Sequence, residues 1–295
     1  MKARQSILKR YSEKYPVLLK EVYKHPEELH LIGNADLLEK PCIGIVGTRK
    51  YSEYGKYVTE KIISELAAYD IAVVSGLAKG IDEIAHRACL ENEVPTIAVL
   101  GSGFENIYPR SNIELAREIA GKGLLISEYS DDTPPLKHHF PQRNRIISGL
   151  SLVTLVVEAP ESSGALITSR FALEQNREVA VIPGDIDREN SKGILKLLQT
   201  GGAYPVSSGD EIIQLISKPP KLAFPQEDLL PGTPQPKTTP LQKQILTHLT
   251  PSRPVALDQI LLHLKTSPPA VMAELSIMEV NGLVFTRNGK YLKKC

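Results

Sequence analysis

Cysteine is scarce in this sequence. Cys42, Cys89 and Cys295 are the only three in 295 residues, and no two of them form a CxxC pair. Their number and spacing argue against a disulfide scaffold and a cysteine zinc site, and fit a reducing compartment. Long apolar runs are missing too: SLVTLVVEA stops at Glu158, short of the about 20 residues a membrane helix needs. The opening MKARQSILKRYSEKYP holds no apolar stretch that could serve as a secretory signal. Net charge is almost absent, with 35 Lys+Arg against 34 Asp+Glu. Bulk electrostatics alone therefore cannot draw the chain onto a nucleic acid, and any such site needs locally concentrated positive charge. The expectation is a cytoplasmic protein with no membrane partner.

Catalytic signatures are absent as well. The chain contains no GxxxxGK[ST] phosphate loop, no HExxH and no GxSxG elbow. Gly101-Ser102-Gly103 begins like a dinucleotide fingerprint, but Asn106 stands where the third glycine belongs. His138 and His139 are adjacent and so point in different directions, with no third metal ligand in view. These absences lead to an expectation of no catalytic residues, no metal and no cofactor.

What is present is an ordinary globular composition, 42% apolar and 23% charged, organised in two parts. Residues 217–240 contain seven prolines in 24 positions, which reads as a stiff linker. In front of it, six short apolar runs, IGIV, IAVVS, TIAVL, LLISE, LVTLVVE and VAVIP, alternate with segments of helical periodicity. Unbroken apolar strands separated by helices predict a doubly wound, mostly parallel Rossmann-like sheet over 41–216, with residues 1–40 as a short extension before it. Asn176 and Gly121 follow helical patterns as candidate left-handed caps. Residues 241–295 read as three helices and a hairpin with its turn at Asn288-Gly289, a winged-helix pattern with helix start at Ser267 and stop at Gly282.

In a doubly wound sheet, ligands bind beyond the carboxyl ends of the strands. Glycines and small hydroxyl residues gather at those exits: Gly47 in GTRK, Gly76 and Gly80 in SGLAKG, Gly101 and Gly103 in GSGFEN, Ser163 and Gly164 in EAPESSG. Backbone N–H groups there could cradle phosphates. Arg49 would aim a cation into the crevice, or else lie solvated on a turn. Asp82 reads more readily as a helix cap than as a ligand contact. The most informative stretch is Lys137-His138-His139-Phe140-Pro141-Gln142-Arg143-Asn144-Arg145, with three permanent cations, a ring and no acid. Pro141 biases Phe140 toward an extended backbone that presents its ring. Cations that track phosphates beside a stacking ring describe single-strand binding. The alternatives are that Phe140 is core and that Arg143 and Arg145 pair with Glu158 or another carboxylate. In the tail, the third helix carries Glu274 and Glu279 and no Lys or Arg, which disfavours insertion into a duplex groove. The tail is therefore expected in a protein-contact or auxiliary role, with the basic wing of Arg287, Lys290, Lys293 and Lys294 kept as the alternative, a DNA contact.

Taken in order, GIVGTRKYSEYG, SGLAKGIDEIAH, GSGFENIYPRSN, PLKHHFPQRNRIISGLS and VVEAPESSGALITSRFAL closely resemble the DNA-processing protein A family (DprA, also called Smf). The resemblance runs from about Tyr15 to Ile213, and the tail resembles that family's winged-helix module. It implies a non-enzymatic core that binds single-stranded DNA in natural transformation and recombination. It also implies protection of incoming strands, loading of the RecA recombinase onto strands coated by single-strand-binding protein, and a homodimer. The family's DNA-site arginine falls on Arg49, its pocket lysine on Lys137, its stacking aromatic on Phe140 and its basic run on Arg143 and Arg145. Leu195 stands where the family often has asparagine, and Asn176 where it has glycine. The roughly 40 residues before the first strand are too few for the helical module many members carry in front. The competing reading is a nucleotide-binding phosphoribohydrolase, but Pro160-Glu161-Ser162-Ser163-Gly164-Ala165 lacks the PGGxGTxxE pattern of those enzymes.

Overall fold

A computed structural model describes residues 5–217, 239–249, 255–262, 264, 266–280, 283–287 and 290–293. By its contacts the chain divides into two compact units, Met1–Pro220 and Lys221–Cys295.

The first unit runs β1 (Gln5–Lys9), α1 (Val17–Lys20), β2 (Glu28–Gly33), β3 (Cys42–Val46), α2 (Glu53–Leu66), β4 (Ala72–Ser75), α3 (Ile81–Glu91), β5 (Thr96–Leu100) and α4 (Ile113–Lys122). It continues through β6 (Leu124–Ser127), α5 (His139–Leu150), β7 (Val153–Val156), α6 (Gly164–Glu174), β8 (Glu178–Val181), α7 (Lys192–Gln199), β9 (Tyr204–Pro205) and α8 (Gly209–Ser217). Among the described residues these strands form one nine-stranded sheet in the order β1-β2-β6-β5-β4-β3-β7-β8-β9. From β6 to β9 every pairing is parallel. The mostly parallel α/β fold is the one expected from the apolar runs, because strands covered on both faces need no polar alternation.

Successive residues of each strand feed opposite layers. Val46, Val74, Val99, Ile126, Val156 and Val181 join one buried cluster with α1, α5, α6 and α7. Ile43, Ile45, Val73, Val153, Leu155 and Ala180 join a second with α2, α3 and α8. Helix α2 shows why such segments hold. Ser52 caps it by accepting the Gly55 N–H, and Val58, Ile62, Ile63 and Leu66 form its buried stripe. Chain order reverses between β3 and β7, so the two neighbouring crossovers leave on opposite sides and open a crevice at the strand exits.

Several details differ from the sequence reading. The segment 1–40 is more than an extension: β2 pairs antiparallel with β6, and β1 with β2. Leu29 and Leu31 are buried there, but two short strands separated by a turn of helix carry too little periodicity to be read. Gly121 does not end α4, which runs through it to Lys122 and closes at Gly123. Asn176 does take a left-handed backbone, with φ 55°. Pro141 does not make Phe140 extended. Helix α5 starts at His139, and a proline in a first turn removes only an N–H that the helix leaves unpaired anyway.

The second unit holds α9 (Pro240–Thr247), β10 (Val255–Ala256), α10 (Leu257–Leu261), α11 (Pro268–Val280), β11 (Val284–Arg287) and β12 (Lys290–Lys293). Its strands form a sheet in the order β10-β12-β11, and Ile245, Leu249, Ile260, Val271, Leu275 and Met278 form its core. This is the winged-helix pattern, with α11 starting directly after Ser267. Gly282, the turn Asn288-Gly289, Lys294 and residues 218–238 of the expected linker lie outside the described residues, as do the side chains of Arg287 and Lys293. Among the described residues, no helix is long and apolar enough to cross a membrane, and no cluster of three His, Cys, Asp or Glu could hold a metal ion.

Candidate nucleic-acid interface

The exits of β3, β4 and β5 meet the start of α5 in a small cleft lined by Arg49, Gly76, Lys79, Tyr108, Phe140 and Arg143. Phe140 is half-buried, its ring 5.6 Å from that of Tyr108 and tilted 55° to it. The glycine exits are what let this ring lie down. A methyl group on Gly101 would stand 2.9 Å from the Phe140 Cδ1. Arg49, Lys79 and Lys137 are exposed, and their side chains make no hydrogen bond or ion pair with any described residue; the same holds for Lys50 and Arg110, their neighbours in sequence or loop. Most arginines elsewhere on the surface are tied to acids, as in Arg87–Glu83 and Arg188–Asp185. A tilted ring pair flanked by free cations can take a base on its face and phosphates at its edge.

Beneath the cleft the charge is buried and already used. Arg143 is 4% exposed. Its Nη1 donates to the carbonyls of Val99 and Gly76, the latter at 2.5 Å, and its Nε donates to Asn144 Oδ1 at 3.1 Å. Its charge is answered by Asp82, and a methyl group on Gly76 would fall on both the guanidinium and the carboxylate. Burial lowers the Arg143 pKa to about 10, partly offset by Asp82. Burial likewise raises Asp82 to about 6, against the pull of Arg143 and of the Ala78 and Gly76 amides that the carboxylate accepts. Asp82 therefore does not cap α3, as expected, but braces the loop before it. The helix cap is Gly80, with φ 90°.

Two further expectations need correction. Arg143 cannot track phosphates, because its donors point into backbone carbonyls under the cleft. Arg145 is turned away and is ion-paired through Nη2 to Glu128 at 2.5 Å, on a side chain only 14% exposed. A helix turn rotates successive residues by about 100°, so Phe140, Arg143 and Arg145 cannot all face one ligand. Asn144 ties α5 to α6 by donating to the Gly164 carbonyl at 3.3 Å. Ser163 caps α6 by accepting the Ala165 N–H, and Gly164 is exposed with open space around it. Gly47 packs closely on Ile81, and Gly103 on the Ser130 and Asp131 carbonyls with its N–H donated to the Thr133 carbonyl at 2.9 Å. The sequence reading missed Lys79 and Tyr108. Both lie in strand-exit loops that it had selected, and the signal was the cation and the ring among their glycines.

His86, under the same loops, is fully buried, and burial together with Arg143 holds its pKa down at about 3. An unfolded chain takes up that proton near pH 6.5. The stability from His86 is therefore present above about 6.5 and is lost as pH falls toward 3. Asp82, raised to about 6, runs the other way: its contribution is present below about 4 and lost as pH rises through 6. The His86→Gln variant is thus expected to lose less stability than the unaltered protein between pH 7 and pH 4.5. Urea unfolding at the two pH values measures it, and equal losses would refute the assignment.

A search against known families matches residues 6–217 to the model described as DNA recombination-mediator protein A, and residues 230–290 to the DprA winged helix domain. The chain belongs to the DprA family. The curated Bacillus subtilis DNA processing protein DprA is 44% identical over 204 residues, covering 69% of this chain and 68% of that protein. The crystal structure of Streptococcus pneumoniae DprA superposes with a TM-score of 0.68 at 43% identity, over 70% of this chain and 73% of that one. A Helicobacter pylori DprA structure, described as showing a unique single-stranded DNA binding mode, gives 0.66 at 30% identity, over 74% and 98%. DprA membership covers both units, and the sheet and cleft described here fall inside the first match.

Proposed function

We propose that this protein binds single-stranded DNA in natural transformation and recombination, shields incoming strands and helps load the RecA recombinase where single-strand-binding protein has coated them. In this reading it acts without catalysis, in the cytoplasm and as a homodimer. The observation that carries the proposal is the Tyr108–Phe140 ring pair, which shares its cleft with Arg49 and Lys79, exposed cations with no hydrogen bond or ion pair to any described residue. The Helicobacter pylori relative supports it, since that DprA is described by its single-stranded DNA binding.

Fluorescence anisotropy of labelled single- and double-stranded oligonucleotides across a salt series tests the proposal. Single strands should bind more tightly. The Phe140→Ala variant should lose about 1–3 kcal/mol of binding, the worth of a stacked base. Arg49→Ala and Lys79→Ala should each flatten the slope of log affinity against log salt by about 0.7, the signature of one lost phosphate contact on a single strand. Wild-type affinity in all three variants would reject this site. Recombinase filament formation on strands coated with single-strand-binding protein, with and without this chain, tests the loading step separately.

A further inference from the structure

A second cavity of about 360 Å³ opens at the exits of β7 and β8, within the range of small-ligand sites. No residue lines both it and the cleft at Phe140. One side of its wall is apolar, from Val157, Ile182, Pro183 and Ile194 together with the ring of Tyr54. Tyr54 is held in place by donating its hydroxyl proton to the Pro183 carbonyl at 3.0 Å. The other side is polar, from Glu158, Asn190 and Ser191.

The polar side leaves acceptors open, beside the donors of Ser191 and of Arg188 at the rim. Glu158 is 5% exposed, and its carboxylate accepts from Ser52 N at 2.9 Å, Ser52 Oγ at 2.5 Å and Asn190 Nδ2 at 3.2 Å. A carboxylate has about four acceptor sites, so one stays open. Asn190 Nδ2 also donates to the Lys50 carbonyl at 2.9 Å. Two acceptors thus hold the amide nitrogen and fix which way the group points, leaving Asn190 Oδ1 as a second acceptor without a partner. Asp185 at the rim is ion-paired with Arg188 at 2.7 Å, which leaves the Glu158 charge as the net charge of the cavity. A phosphate is therefore repelled. A flat apolar group carrying an –NH₂ with two protons to give is what fits.

We propose that this cavity binds a nucleobase bearing an exocyclic amino group, its ring against Tyr54 and its amino protons donated to Glu158 and Asn190. Two sources share that chemistry: a free nucleoside or nucleotide, and a base of the strand held at the neighbouring cleft. Loop 47–52 connects the two sites, with Arg49 lining the cleft and Ser52 holding Glu158. The second source rests on the single-strand reading above; the first does not.

Titration calorimetry of the full chain with deoxycytidine and with thymidine, which have no phosphate to engage the cleft, tests the cavity. Oligodeoxycytidine and oligothymidine of twelve residues test the strand. Deoxycytidine should bind about tenfold more tightly than thymidine, the factor one hydrogen bond to a charged acceptor supplies. Glu158→Gln and Tyr54→Ala should abolish that preference, with thymidine-oligonucleotide binding kept. Should Glu158→Gln fail to fold, Asn190→Leu together with Tyr54→Ala decides the outcome. A cytidine preference seen with nucleosides but not with oligonucleotides would assign the cavity to free nucleosides or nucleotides. Oligonucleotides that do not bind at all, beside an intact nucleoside preference that the variants lose, would sink the strand reading and leave the cavity standing. Equal binding of the two nucleosides by the unaltered protein, or a preference that survives in the variants, would overturn the proposal.

Discussion

Replacing Arg143 by alanine should destabilise the first unit by about 3–5 kcal/mol, the usual penalty for breaking a buried charge pair by removing one partner. The reason is local and specific. The guanidinium is the donor for two strand-exit carbonyls, Gly76 and Val99, and the counter-charge to a buried Asp82. Without it, both carbonyls lose a donor and the buried carboxylate loses its main counter-charge, keeping only the Ala78 and Gly76 amides and the field of Arg49. Urea unfolding at pH 7 measures the loss. Below about pH 6 the deficit should shrink, because Asp82 then takes up a proton and no longer needs the counter-charge. Lys would keep the charge but not the separate Nε donor to Asn144, so Arg143→Lys should recover only part of the stability. The prediction separates a buried strut from a DNA contact. In conditions where the variant remains folded, the salt slope of strand binding should be unchanged, whereas Arg49→Ala flattens it. A fully stable Arg143→Ala protein with a flattened slope would return Arg143 to the binding surface.

The second large effect is expected at Gly80. Its φ of 90° lies where side chains are rarely tolerated, and a methyl group there would land on the Thr48 carbonyl and the Arg49 backbone. Neither can swing away as a side-chain tip would. Gly80→Ala should therefore cost about 2–4 kcal/mol, combining the strain of the left-handed region with overpacking against backbone. It should also weaken single-strand binding, since the loop that must give way carries Arg49. Gly164→Ala is the control, because its surroundings are open and its position begins a helix; it should be neutral or slightly stabilising. Thermal unfolding and anisotropy on both variants check the contrast. Equal behaviour of the two glycines would mean that close packing is not what selects glycine at the strand exits.

That contrast also shows how far the residues could be read without the fold. The apolar runs from Ile43 to Val181 announced a parallel sheet because strands buried on both faces must be apolar throughout, a property of local sequence. The same rule located the strand exits, and with them Arg49 and Phe140. The antiparallel β1 and β2 escaped it, since a short edge pairing is decided by what lies alongside, here β6, rather than by its own periodicity.

Local pattern thus determined the order of the central parallel strands and their helices, the winged-helix tail and the loops that could carry a ligand. Which side chains within those loops line the cleft was decided only by tertiary packing. Three cations sit within nine residues at 137–145, yet the helix they partly share buries Arg143 under the cleft and turns Arg145 toward Glu128. Tyr108 and Lys79 arrive from other strands to complete the site. Sequence spacing states which residues are neighbours along the chain, but the direction of a side chain depends on the helix phase and on the partners that burial makes compulsory. Those partners come from other segments, 17 residues away for Arg145 and 44 and 67 for Arg143.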